Sequence, residues 1–120
     1  MYNDSYVSMG SSHFLYNTAC DGGAIYDNGA SRGYLALQNS SISQNIARIQ
    51  GGGIYLNYTG TLARLGIDGT GITGNTASDA GGLFDSNNPS GFLESSSSVV
   101  LGNTATMTGG CRNIGDVPCT

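Results

Sequence analysis

Large apolar residues return along this chain on a regular beat, each followed at the same distance by an asparagine. Phe14, Ile42, Ile72 and Val100 stand three residues before Asn17, Asn45, Asn75 and Asn103, and Ala19, Ala47, Ala77 and Ala105 follow two residues after. The asparagines are 28, 30 and 28 residues apart. Between the repeated positions the apolar residues fall in runs of a few residues, bounded by Gly, Asn, Ser and Asp. Such runs read as short strands separated by breakers. Ile54-Tyr55-Leu56 and Val99-Val100-Leu101 carry the β-branched and aromatic types that suit a pleated surface. No sustained apolar stripe of helical period appears.

A second element keeps the same beat. Gly22-Gly23, Gly51-Gly52, Gly81-Gly82 and Gly109-Gly110 begin five or six residues after each asparagine. A third is an apolar stretch after a turn, as in Gly33-Tyr34-Leu35-Ala36-Leu37 and Thr61-Leu62-Ala63-Arg64-Leu65. Two elements repeated four times in step mark a repeat architecture, which settles the fold before any motif is weighed. The expected fold is all-β: a right-handed parallel β-helix of about four coils, ~29 residues each, with three short strands per coil. The repeats fall at roughly 12–38, 39–68, 69–96 and 97–120 of a single domain covering 1–120. A propeller blade needs ~40 residues and four full strands, so it does not fit, and the leucine ladder of a leucine-rich repeat is absent.

Each recurring residue has a structural duty in such a stack. Paired glycines let the chain turn with positive φ and pass close to the coil below. Asn17, Asn45, Asn75 and Asn103, stacked coil on coil, form a ladder of amides, with tolerance of the left-handed conformation as a further asset. Phe14, Ile42, Ile72 and Val100 then make one interior column.

Composition restricts the setting. The 120 residues include 20 Gly and no Trp or Lys, and charged residues make up 10%, against ~25% in an ordinary soluble domain. A surface solvated by hydroxyls and amides suits an extracellular β-protein. The net charge of −4, with only four Arg, offers no stripe to neutralise a phosphate backbone, so nucleic acid is not an expected partner. No apolar run approaches the ~20 residues of a membrane-spanning helix. No signal peptide is visible at the N-terminus, and the expectation is an excerpt or subunit of a longer assembly. Of three cysteines, Cys111 and Cys119 are spaced to close a short loop and Cys20 is left over; three free thiols are the alternative. Asn3, Asn39 and Asn57 open N-glycosylation sequons.

The motifs resemble the repeat of chlamydial polymorphic outer membrane proteins, marked by Phe-x-x-Asn and Gly-Gly-Ala-Ile. Phe14 to Asn17 and Gly22 to Ile25 match both, while Ile42, Ile72, Val100, Leu83-Phe84 and Cys111-Arg112 depart from them in the later repeats. The resemblance implies a right-handed parallel β-helix displayed outside the cell, with adhesive and structural rather than catalytic roles.

Candidate chemistry is sparse. The eight acids are dispersed; Asp27 and Asp85 sit at similar places in coils 1 and 3, as do Asp21 and Asp79, without the clustered carboxylates and cationic base of a polysaccharide lyase. Turn Asp usually caps backbone. His13 is the single histidine, and no second His or thiol pair joins it in a triad or zinc site. The expectation is therefore no enzyme, no cofactor and no metal. The reading is a non-catalytic extracellular structural or adhesive module, a subunit of a surface fibre that associates with itself or neighbouring repeats through open coil edges and meets a host or glycan surface ligand. A carbohydrate-binding or polysaccharide-degrading β-helix is the alternative, and ice binding through Thr73, Thr76, Thr104, Thr106 and Thr108 comes third.

Overall fold

The computed structural model describes residues 2–3, 6–28, 34–57, 64–86, 92–107 and 109–112. After a short β1 (Tyr2–Asn3), the first coil holds β2 (Tyr6–Gly10), β3 (His13–Leu15), β4 (Thr18–Asp21) and β5 (Ile25–Asp27). The second holds β6 (Tyr34–Gln38), β7 (Ser41–Ser43), β8 (Ile46–Gln50) and β9 (Ile54–Leu56). The third holds β10 (Arg64–Asp68), β11 (Gly71–Thr73), β12 (Thr76–Ala77) and β13 (Leu83–Asp85). The fourth holds β14 (Phe92–Ser96), β15 (Val99–Leu101), β16 (Thr104–Ala105) and β17 (Cys111–Arg112).

Every strand pairs in parallel with its counterparts one coil away, which makes the chain a parallel β-helix. The first sheet runs β1-β5-β9-β13-β17, the second β2-β6-β10-β14, the third β3-β7-β11-β15 and the fourth β4-β8-β12-β16. Parallel strands joined by crossovers take the right-handed sense.

Each coil carries four strands, not the three expected. The stretch from the apolar residue of Phe-x-x-Asn to the alanine beyond it is broken in the middle. Tyr16, Gln44, Gly74 and Gly102, one residue before each ladder asparagine, all have φ between 56° and 65°. That left-handed residue turns the chain out of the third sheet and into the fourth. The left-handed duty assigned to the asparagine belongs to its predecessor.

Two more corners use the same device. Ser11, Asn39, Gly69 and Ser97 turn the second sheet into the third, with φ from 47° to 56°. Gly22, Gly51 and Ala80 turn the fourth into the first, with φ from 52° to 62°. The third Gly-Gly pair is shifted by one residue against the others: Gly81 stacks beside Gly52 rather than Gly51, and Ala80 takes the left-handed place. The reason for glycine at the next position is close approach. A Cβ on Gly52 would overlap the Gly81 carbonyl oxygen and crowd Thr76 O at 2.5 Å.

Period-2 alternation sends one column of each sheet inward. Phe14, Ile42, Ile72 and Val100 are in register, as are Ile25, Ile54, Leu83 and Cys111, and Val7, Leu35 and Leu65. Twelve buried residues of these columns and their neighbours form one continuous core. Cys111 is disulfide-bonded and Cys20 is free and exposed; Cys119 lies outside the described residues.

Candidate functional site

Two polar ladders line the corners of the coil. In the asparagine ladder the amide N–H and Nδ2 of one coil both donate to Oδ1 of the next. Asn17 gives both bonds to Asn45, Asn45 to Asn75, and Asn75 to Asn103, each at 2.9 Å. The second Nδ2 proton goes to the carbonyl of the previous coil's apolar residue: Asn45 to Phe14, Asn75 to Ile42 and Asn103 to Ile72. Asn45 and Asn75 are fully buried, and every amide proton and oxygen is used. The polarity is uniform, running from donors above to acceptors below.

The other ladder lies at the second-to-third corner. Ser12 N donates to Ser40 Oγ at 3.1 Å, Ser40 N to Thr70 Oγ1 at 3.3 Å, and Thr70 N to Ser98 Oγ at 3.0 Å. The hydroxyls of Ser12, Ser40, Thr70 and Ser98 in turn donate to the carbonyls of Gly10, Gln38, Asp68 and Ser96, two residues back. Sequence reasoning missed this column. Its signal was present: a Ser or Thr stands two residues before each of Phe14, Ile42, Ile72 and Val100.

A shorter set occupies the end of the first sheet. Asn57 Nδ2 donates to Asn28 Oδ1 at 2.7 Å and to Tyr26 Oη at 3.3 Å, and Ser86 Oγ donates to Asn57 Oδ1. The sequon amide of Asn57 is thus engaged, whereas Asn39 is exposed; the side chain of Asn3 lies outside what is described. Beside this set the rings of Tyr26, Tyr55 and Phe84 stack with centroids 5.0 and 5.1 Å apart. Burial raises the Tyr55 phenol above its ordinary 10.0, reinforced by the charges of Tyr26, Asp21 and Asp85 and opposed by a Ser86 hydrogen bond.

The expected acids do not converge. Asp27 and Asp85 are separated by Leu56 in the same column, and Asp21 and Asp79 by Gln50. Asp27, Asp79 and Asp85 are buried and hold partners. Their place is inside the wall of the coil, not in a cleft. His13 lies on the exposed outer face of the third sheet, next to Ser41. Tyr16 is 75% exposed at its corner, away from the stack of Tyr26, Tyr55 and Phe84.

The outer face of the second sheet carries a groove of about 220 Å³. Its profile comes from alternate residues of the strands. Large Tyr34 forms one wall, small Ala36 and Gly66 the floor, and Gln38, Asp68 and Ser96 the other wall.

Residues 11–28 match the family model of the Chlamydia polymorphic membrane protein repeat, a repeat of outer-membrane or surface proteins. The match spans one three-corner stretch, β3 to β5, including the first rung of the asparagine ladder. No curated protein and no solved structure matches the chain. Among the described residues no helix is long and apolar enough to cross a membrane.

Proposed function

We propose that the chain is a non-catalytic structural and adhesive module of an extracellular, cell-surface protein, stacking through its N-terminal side on a further coil of the same repeat type. The observation that carries this reading is the contrast between the two ends. In coil 4, Val100 is 2% and Asn103 7% exposed. In coil 1, Val7, Met9 and Phe14 are only partly buried and Asn17 is exposed. Among the described residues, β2, β3 and β4 have no partner strand on their N-terminal side, and Asn17 Oδ1 accepts no hydrogen bond.

An unpaired row of backbone groups is a template for another strand. Here it is accompanied by a half-open apolar core and an empty acceptor at the head of the ladder. A preceding coil with its own asparagine would donate two bonds to Asn17 Oδ1, as Asn17 itself does to Asn45. The surface-protein repeat at residues 11–28 supports an extracellular setting. Dispersal of the acids and isolation of His13 support a role without catalysis.

The test replaces β1 with a copy of residues 34–57, whose last strand enters the column that β1 occupies. In a repeat array stability grows with each correctly stacked neighbour. The extended chain is expected to unfold at higher urea, with slower hydrogen exchange at the β2, β3 and β4 amides. An added coil that stays unfolded and leaves those amides unchanged would overturn the stacking reading.

A further inference from the structure

We infer that the groove on the outer face of the second sheet is a binding site for one neutral pyranose ring, the terminal sugar of a surface glycan. It rests on the adhesive reading only in its biological use; the chemistry stands on the groove alone.

The groove follows from side chains at alternate positions of two adjacent strands. β6 presents Tyr34, Ala36 and Gln38 outward, and β10 presents Arg64, Gly66 and Asp68 in register with them. Residues of one face are two apart, so wall, floor and wall follow one another along the strand. Tyr34 leans from coil 2 over coil 3: its Oη lies 2.7 Å from where a Cβ on Gly66 would stand. Tyr6, one coil above, stacks on Tyr34 with centroids 5.2 Å apart and an interplanar angle of 18°. The aromatic wall is therefore held in place by its neighbour and by the missing side chain beneath it. A site with rigid walls loses less freedom on binding.

The opposite wall is polar and unspent. Gln38, Asp68 and Ser96 are exposed and follow one another in register, and among the described residues no side-chain hydrogen bond or ion pair engages them. An amide, a carboxylate and a hydroxyl at successive coil spacings of ~4.8 Å offer donors and acceptors across about one sugar ring. A carboxylate next to an amide takes hydroxyl protons on one side and gives amide protons on the other. The Tyr34 ring, whose hydroxyl end lies over Gly66, and the small Ala36 beside it suit the apolar C–H face of the same ring. With a carboxylate on the wall and a net charge of −4, an anionic ligand is opposed. The volume is below the ~300–1,000 Å³ of sites for drug-sized ligands, which limits the occupant to a single ring.

The experiment uses the uniformly ¹⁵N-labelled chain and a panel of methyl hexopyranosides (glucoside, galactoside, mannoside) together with methyl N-acetylglucosaminide, followed by amide shifts. At least one is expected to bind with a millimolar Kd, the range for so few ligand atoms, moving amides of Tyr34, Ala36, Gly66 and Asp68. Two variants keep the coil and alter the groove. Asp68→Ala removes an exposed carboxylate and should weaken binding about tenfold or more, the loss expected for a charged hydrogen bond. Gly66→Val fills the floor and displaces the Tyr34 hydroxyl, and should abolish binding while its unfolding midpoint stays close to the parent. No shift with any sugar would overturn the assignment, as would shifts indifferent to both variants. Tetramethylammonium binding more tightly than every sugar would overturn it too, since that would make the groove a cation site. The stacking test reads other strands, so either proposal can fail while the other survives.

Discussion

Asn75→Ala against Asn17→Ala is the most direct measure of what holds the coils together. Asn75 takes two bonds on Oδ1, from the amide N–H and Nδ2 of Asn45, and gives two from Nδ2, to Ile42 O and Asn103 Oδ1. Truncation removes all four and leaves the buried Asn45 N–H without an acceptor. A net ~0.5–1.5 kcal/mol per bond, with a further penalty for the orphaned donor, puts the loss at about 4 kcal/mol or more. Asn17 is exposed, and its side chain contributes one bond, to Asn45 Oδ1, which keeps the Asn17 amide N–H as its other donor. Its loss should be about 1 kcal/mol. Urea unfolding of the 120-residue chain, followed by far-UV circular dichroism, reads both. A difference under about 1 kcal/mol between the two variants would refute the ladder as a buried, fully satisfied network. A further variant separates polarity from shape. Asn75→Asp preserves the acceptor for Asn45 but sets a second oxygen against Ile42 O and Asn103 Oδ1. The carboxyl pKa should be raised in the folded state, so this variant should gain stability as pH falls and the group is protonated.

Three other outcomes follow from single positions. Ala80 is a fully buried non-glycine residue at φ 52° in the column of Gly22 and Gly51. Ala80→Gly should stabilise by a few tenths to about 1 kcal/mol, the left-handed penalty relieved less the added freedom of the unfolded chain; a lower urea midpoint would contradict this. Gly52→Ala should destabilise by more than about 3 kcal/mol, because its Cβ meets backbone that has no room to yield. Gly109→Ala, whose Cβ meets no atom of the described residues within 4 Å, should be nearly silent in the same urea titrations. Tyr55 should ionise later than a free tyrosine in a spectrophotometric titration. Its folded pKa is raised above 10.0 by burial first, so the stability it lends is whole below the ordinary value and is lost as pH rises through the folded one. A Tyr55→Phe chain losing stability over that range as steeply as the parent would exclude Tyr55 as the cause.

The fold was legible because a solenoid writes its third dimension into its period. Residues 28 to 30 apart are neighbours, so Phe14, Ile42, Ile72 and Val100 declare a column without any structure. The same arithmetic held the Ser12, Ser40, Thr70 and Ser98 ladder, overlooked because single hydroxyl residues do not stand out in so Ser-rich a chain. The groove was harder to see. The sequence offers Tyr34-x-Ala36-x-Gln38, but nothing in it says that the outward side of this strand would be notched by Gly66 one coil on.

What the sequence by itself determined is the parallel stack, its beat and its interior columns, since these depend only on which residue types recur and how far apart. What only the tertiary structure decided is where the chain turns. The backbone can assign a left-handed turn to Tyr16, Gln44 or Ala80, residues whose type does not demand it, because stacking on the coil below outweighs a local cost of ~1–2 kcal/mol. That choice divides each coil into four strands instead of three and moves Gly81 beside Gly52. It also aims the ladder's donors toward the fourth coil, leaving its open acceptor on Asn17.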